Sequence, residues 1–175
     1  HNSQKLREAM ETLIVTGAAG SIGTRVCKTL AEIDGVAAIL AIDTRPEMPN
    51  HRRVYHHQLD LQTDDLKPVF EGANSLIHLA TSFGPSSDGM DAGGAEIDAT
   101  RRVFEAASAV GIKKIVLLSS AMVYGAWPTN EIPITENADI NPNPDFSFAS
   151  VKTEIENIAT EWKSKHPNAE VIILR

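Results

Sequence analysis

Thr16-Gly17-Ala18-Ala19-Gly20-Ser21-Ile22-Gly23 is the stretch on which the fold of this chain turns. The apolar run Leu13-Ile14-Val15 leads into it. A segment with Ile22, Val26, Leu30 and Ile33 on one helical face leads out. A strand, a glycine turn and a helix start in that order make an anion site, because free backbone N–H groups and about half a unit of positive charge collect at a helix N-terminus. A side chain there would hold a pyrophosphate off, so glycine is needed where the backbone comes close. Gly17 serves the tight turn, Gly20 the close approach and Gly23 the packing of helix on strand, while Ala19, Ser21 and Ile22 complete the cradle. Asp43 ends a second apolar run, residues 37–42, about twenty residues beyond Gly23, the spacing of an acid that takes ribose hydroxyls. The competing reading is an ordinary glycine loop with Asp43 as a strand-end cap. Turn, flanking periodicities and acid spacing together favour dinucleotide binding.

The chain has 175 residues, a net charge of −7 and one cysteine, Cys27. The acidic balance speaks against nucleic acid as a partner, and a pyrophosphate site must work through local backbone dipoles. A single cysteine allows no disulfide within the chain, which fits a reducing cytoplasm. Cys27 reads as a small buried residue on the first helix. No apolar stretch approaches the roughly eighteen residues of a membrane span. Residues 1–9 are mostly polar and precede Met10. We therefore expect a leader or flexible terminus over 1–10 and one dinucleotide-binding domain over 11–175.

Apolar runs alternate with helical patterns to the end of the chain. Strands are expected near residues 12–16, 37–42, 54–59, 75–79, 114–119 and 171–174, and helices near 22–33, 64–70, 95–110 and 147–164. A glycine-rich loop, 84–94, and a proline-rich loop, 125–145, connect them. This alternation predicts an α/β fold with a doubly wound parallel sheet in Rossmann order 3-2-1-4-5-6. A ligand then belongs beyond the carboxyl ends of the strands, where Asp43, Asp60, Ala80 and Ser120 all fall.

Two further segments join the glycine turn. Ser119-Ser120-Ala121-Met122-Val123-Tyr124-Gly125 follows the fifth strand, and Pro133-Ile134-Thr135-Glu136 lies in the next loop. In this order and spacing the three resemble the extended short-chain dehydrogenase/reductase family, the NAD-dependent epimerase/dehydratase group. The resemblance implies hydride transfer at a hydroxyl or keto carbon of a small-molecule substrate, a nucleotide sugar or a related compound. It implies that Asp43 binds the adenosine ribose and favours NAD, with Arg45 leaving room for NADP. It places Asp60 and Leu61 beside the adenine, and Leu79, Ala80, Thr81 and Ser119 along the cofactor. Ser120 corresponds to the catalytic hydroxyl, and Lys152 to the lysine of a Y-x-x-x-K pair that holds the nicotinamide ribose. Phe148 stands where that pair has tyrosine, Glu96 where the family has asparagine and Ala99 where it has glycine. Family members also continue past the sixth strand into a substrate-binding region, whereas this sequence stops at Arg175.

Phe148 has no proton to exchange, and losing a positioned acid–base group typically costs about 10²–10⁴ in rate. Another group or a water takes the proton, or Phe148 is an engineered replacement, or the protein binds a dinucleotide without turnover, as a sensor or scaffold. Other candidates have plainer readings. His51, His56 and His57 read as surface histidines rather than a metal site, and His78 as a hydrogen-bonded strand end. Asp88, Asp91, Glu96 and Asp98 are expected to solvate a loop and cap the long helix. Ser120 lacks the G-x-S-x-G setting of a hydrolase nucleophile. Val103, Phe104, Ala107 and Val110 on one long helix, with Ile155, Ile158, Ala159 and Trp162 on another, suit either a two-fold homodimer, as the resemblance implies, or packing on the chain's own sheet.

Overall fold

The computed structural model describes residues 10–47, 50–81 and 91–175, with Asp91 and Ala92 described by their backbone alone. The expected leader over 1–9 and loop residues 84–90, Asp88 among them, lie outside the described residues. In chain order the elements are β1 (Glu11–Thr16), α1 (Ser21–Ala31), β2 (Val36–Asp43), β3 (Val54–Gln58), α2 (Lys67–Phe70), β4 (Ser75–His78), α3 (Asp91–Val110), β5 (Lys114–Leu118), a 3-10 turn (Ala121–Tyr124), α4 (Ser147–Lys165) and β6 (Glu170–Leu174). The strands form one parallel sheet in the order β3-β2-β1-β4-β5-β6, as the sequence predicts.

The apolar strands read as unbroken runs because both sheet faces are covered. Leu13 and Val15 of β1 pack with Cys27 and Ala31 of α1. Ile14, between them, points to the opposite face and joins a cluster with Phe70, Val103, Phe104 and Ile155. Burial pushes the Cys27 thiol up to about 11, so it is an inert core residue.

Two boundaries differ from expectation for physical reasons. The helix expected over 64–70 contracts to Lys67–Phe70. Carboxylates capture the preceding backbone into a turn: Asp60 N–H donates to Asp64 Oδ2 at 2.7 Å, and Gln62 N–H to Asp60 Oδ1 at 2.8 Å. The long helix spans Asp91–Val110, so Gly93 and Gly94 are helical rather than loop. A Cβ on Gly93 would lie 2.7 Å from Cγ2 of Val151 on α4, so this glycine serves close packing of the two helices.

The apolar stripes on α3 and α4 face inward. Val103, Phe104, Ala107, Ile155, Ile158, Ala159 and Trp162 are all buried in the chain's own core, with Val110 packed against them. The Phe104 and Trp162 rings meet edge to face, centroids 5.9 Å apart. Of the two expectations for these stripes, packing on the chain's own sheet is the one observed. His51 pairs with Glu32 at 2.8 Å. His56 and His57 are successive on edge strand β3 and face opposite sides of the sheet. Among the described residues no helix is long and apolar enough to cross a membrane.

Candidate functional site

The carboxyl ends of β1, β2 and β4 meet the start of α1 around a crevice of about 500 Å³. Gly17, Gly20, Ser21, Ile22, Gly23, Asp43, Arg45, Leu61, Leu79, Ala80 and Thr81 line it, with Ile42, Thr44, Leu59 and Leu118. The three glycines have different duties. Gly17 has φ +67°, and a Cβ on it would lie 2.7 Å from Ala80 N; one on Gly23 would lie 2.2 Å from Gly17 O. The fold itself forbids side chains at both. Gly20 has φ −68° and ψ 168°, open to any residue, and its nearest obstacles are Gly17 O at 3.2 Å and an Arg45 guanidinium nitrogen at 3.7 Å. Gly20 itself lines the crevice. Gly20 also caps α1 with no side-chain hydrogen bond, and the first turn holds no acid. The helix start thus presents free donors and positive potential to the crevice, a cradle that fits a diphosphate.

Asp43 sits at the end of β2 and is 9% exposed. Its Oδ2 accepts from Ala19 N–H at 2.9 Å and the Arg45 guanidinium at 3.1 Å. Its Oδ1 accepts from Arg45 N–H at 3.1 Å and Nε at 3.0 Å. These four bonds fill the carboxylate's lone-pair positions. Burial pushes the Asp43 carboxyl up, but the bonds from Arg45 and Ala19 together outweigh it and hold the group below its ordinary value. Any ribose hydroxyl reaching Asp43 must displace a bond from Arg45, whose side chain is 58% exposed.

Behind Thr81 lies a buried ion pair. Lys152 Nζ, on α4, donates to Thr81 Oγ1 and to Glu96 Oε1, each at 2.8 Å, and Thr81 donates to the same carboxylate oxygen at 3.0 Å. Lys152 is 2% exposed and Glu96 8%. The expectation that Glu96 is a solvated helix acid is therefore corrected: it is a buried counter-ion. Lys152 Nζ also sits 5.5 Å from the Phe148 ring centroid, as i, i+4 spacing on one helix face requires. Next to this pair His78 bridges two threonines, with Nδ1 2.6 Å from Thr16 Oγ1 and Nε2 3.1 Å from Thr100 Oγ1. Thr100 spends its proton on the Glu96 carbonyl, so Nε2 carries the imidazole hydrogen. Burial first, then the Lys152 charge, lower His78 to about 4, and it stays neutral and structural, as the sequence reading has it.

The segment after β5 leads away from the crevice lining. Ser120 caps the 3-10 turn, its Oγ accepting from Met122 N–H at 3.2 Å, which leaves its own hydrogen available. Ser119, buried, donates to the Glu156 carboxylate. Glu156 in turn takes two nitrogens of Arg175, Nη2 at 2.7 Å and Nε at 3.1 Å. Arg175 donates to Tyr124 OH at 2.7 Å and lies 5.2 Å from that ring. These bonds raise the Arg175 guanidinium above its ordinary value, Glu156 most of all. Asp60 spends its carboxylate on the turn after β3, while its neighbour Leu61 faces the crevice.

Sequence reasoning missed the roles of Glu96, Glu156 and Arg175. A signal existed for two of them. Glu156 interrupts the buried stripe of α4 beside Ile155 and Ala159, and Glu96 breaks the family's asparagine position. Arg175 carried none, because only the sheet brings it to Glu156.

Comparison with known proteins agrees with this fold. The model of the NAD dependent epimerase/dehydratase family matches residues 13–175. UDP-glucose 4-epimerase GEPI48 of Cyamopsis tetragonoloba is 29% identical over 192 residues, covering 94% of this chain and 51% of that protein. L-arabinose 1-dehydrogenase (NAD(P)(+)) of Haloferax volcanii is 29% identical over 176 residues, covering 95% and 66%. The structure of MoeE5 in complex with UDP-glucuronic acid and NAD has a TM-score of 0.78 at 27% identity, over 93% of this chain and 52% of that one. UDP-N-acetylglucosamine 4-epimerase of Methanobrevibacter ruminantium M1, at 24% identity and a TM-score of 0.81, shares the fold over 95% and 54%. The chain thus spans about half to two-thirds of the length of these proteins. With its motifs, sheet order and matched span in agreement, it belongs to the NAD-dependent epimerase/dehydratase family.

Proposed function

We propose that this chain is the dinucleotide-binding part of an NAD-dependent epimerase, dehydrogenase or dehydratase acting on a nucleotide sugar or a related hydroxyl-bearing substrate. The observation that carries the reading is the uncapped start of α1 with Gly20 lining the crevice, one strand away from a buried acid at Asp43. The amides of α1 bind the diphosphate. Asp43 exchanges Arg45 for the adenosine ribose hydroxyls, and its charge disfavours a 2′-phosphate, so NAD is preferred to NADP. Leu61 packs beside the adenine, with Asp60 holding the turn. Leu79, Ala80 and Thr81 border the chain of the cofactor, and Ser119 fixes the neighbouring Ser120. Bound nicotinamide supplies hydride transfer. Ser120 donates its free hydroxyl hydrogen to the reacting oxygen, and Lys152 orients the nicotinamide ribose through Thr81.

Phe148 sets the limit of this chemistry. With no phenol beside Lys152, a water or another group moves the proton. The second reading, a dinucleotide-binding sensor or scaffold without turnover, rests on the same residue. A homodimer through α3 and α4 would use their outward faces, where Arg101 meets Glu154, because the apolar stripes are internal. A cytoplasmic location fits the free, buried Cys27.

Two experiments test this. Calorimetric titration with NAD⁺ and NADP⁺ should show binding with NAD⁺ tighter, and no binding of either removes the reading. Phe148→Tyr, followed by NADH absorbance over a panel of UDP-sugars, should raise turnover about a hundredfold or more. NAD⁺ binding with no turnover in either form supports the sensor.

A further inference from the structure

We infer that Glu96 sets the charge at the nicotinamide end of the crevice and biases the site toward the oxidised, cationic form of the cofactor. The inference rests on the dinucleotide reading above and adds which redox form is held. With the diphosphate on the glycine turn and one ribose on Asp43, the second nucleoside must run toward the opposite end of the crevice, at Thr81 and Leu118. Lys152 Nζ lies directly behind Thr81, 2.8 Å from its hydroxyl oxygen. A lysine alone there would place an unscreened positive charge against that end. It would repel the oxidised nicotinamide, which carries a ring charge that the reduced form lacks.

Glu96 cancels this charge. Its Oε1 is 2.8 Å from Nζ, and the two side chains are only 2% and 6% exposed, so water and salt do little of the screening. Among the described residues, the other groups facing the pair add no charge. His78 is neutral and held between two threonines. Thr81 is a hydroxyl and Phe148 a hydrocarbon ring. Residues 82–90, which lie outside the described residues, contain no lysine or arginine and one acid, Asp88. The asparagine of the family would hydrogen-bond Lys152 and leave its charge intact; the carboxylate of this chain removes it. Glu96 is thus a positioning and specificity residue acting through Lys152. A unit charge within about 10 Å, at an effective dielectric constant near 20, changes a binding ratio by about tenfold.

The test is calorimetry of the whole chain with NAD⁺ and with NADH at pH 7.5, in the wild type, Glu96→Gln, Lys152→Met and the double variant. The readout is the ratio of the two dissociation constants, which loss of a purely structural contact leaves unchanged. Glu96→Gln should move it about tenfold toward NADH, and Lys152→Met should move it toward NAD⁺. The double variant should return within about threefold of the wild type, because both charges are gone. Melting curves establish which variants fold. Should Glu96→Gln fail to fold, Lys152→Met and the double variant carry the same comparison. Binding of both forms with a ratio unmoved by Lys152→Met, or unrestored in the double variant, overturns the role of Glu96. Wild-type protein that binds neither form overturns the dinucleotide reading instead.

Discussion

Replacing Gly20 by alanine separates what the fold needs from what the ligand needs. A Cβ on Gly20 would have Gly17 O at 3.2 Å and an Arg45 nitrogen at 3.7 Å as its nearest neighbours, tight but tolerable. The backbone there, φ −68° and ψ 168°, suits alanine as well as glycine. Without ligand the variant should therefore lose no more than about 1 kcal/mol, the scale of an N-cap change. For a domain of this size that is a melting shift of about 2–4 °C. With ligand the methyl group stands where the diphosphate approaches the first amides of α1. Losing one or two hydrogen bonds to a charged group, at about 1.5–3 kcal/mol each, should weaken NAD⁺ binding by about 2–4 kcal/mol. That is roughly thirty- to a thousandfold in the dissociation constant. Calorimetry measures the affinity, and a thermal melt without cofactor measures the fold. Gly23→Ala is the contrasting control: its Cβ would fall 2.2 Å from Gly17 O, so it should destabilise the protein whether or not ligand is present. Gly20→Ala protein that binds NAD⁺ as tightly as the wild type would refute the reasoning, as would a melt as damaged as that of Gly23→Ala.

Two further outcomes follow from the buried polar clusters. His78 is held at about 4 in the fold against about 6.5 in the unfolded chain, so its contribution is complete above pH 6.5 and is lost as pH falls through about 4. It amounts to about 3 kcal/mol. Urea midpoints of the wild type should fall across that window more steeply than those of His78→Gln, and equal slopes would exclude His78 as the cause. Glu156→Ala leaves Arg175 without its carboxylate and Ser119 without its acceptor. Breaking such a buried pair costs about 3–5 kcal/mol, roughly a 10 °C drop in melting temperature; a drop under about 2 °C would show that the cluster contributes little.

Burial at this site is divided between two chemistries. The crevice wall is apolar at Leu61, Leu79 and Leu118 and polar at the glycine turn and Asp43. Away from that wall, two carboxylates are buried, Glu96 behind Thr81 and Glu156 beside Ser119, each answered by a cation on or beyond α4. Breaking either pair would leave a buried charge uncompensated, so both are expected to resist substitution one residue at a time.

The amino-acid sequence alone determined the fold of this protein, because strands buried on both faces and helices buried on one leave different periods in the chain. The glycine turn, Asp43 and the i, i+4 pairing of Phe148 with Lys152 are local features, and local spacing was enough to read them. Asp64 taking the Asp60 N–H and Gly93 entering α3 escaped that reading, since side-chain capture of backbone and helix–helix clearance are not periodic signals. Only the tertiary structure decided what the charges do. Glu96 and Lys152 lie 56 positions apart, and Glu156 and Arg175 19 apart. The parallel sheet brings each pair together and buries it, and charge partnership between distant residues leaves no trace in local sequence.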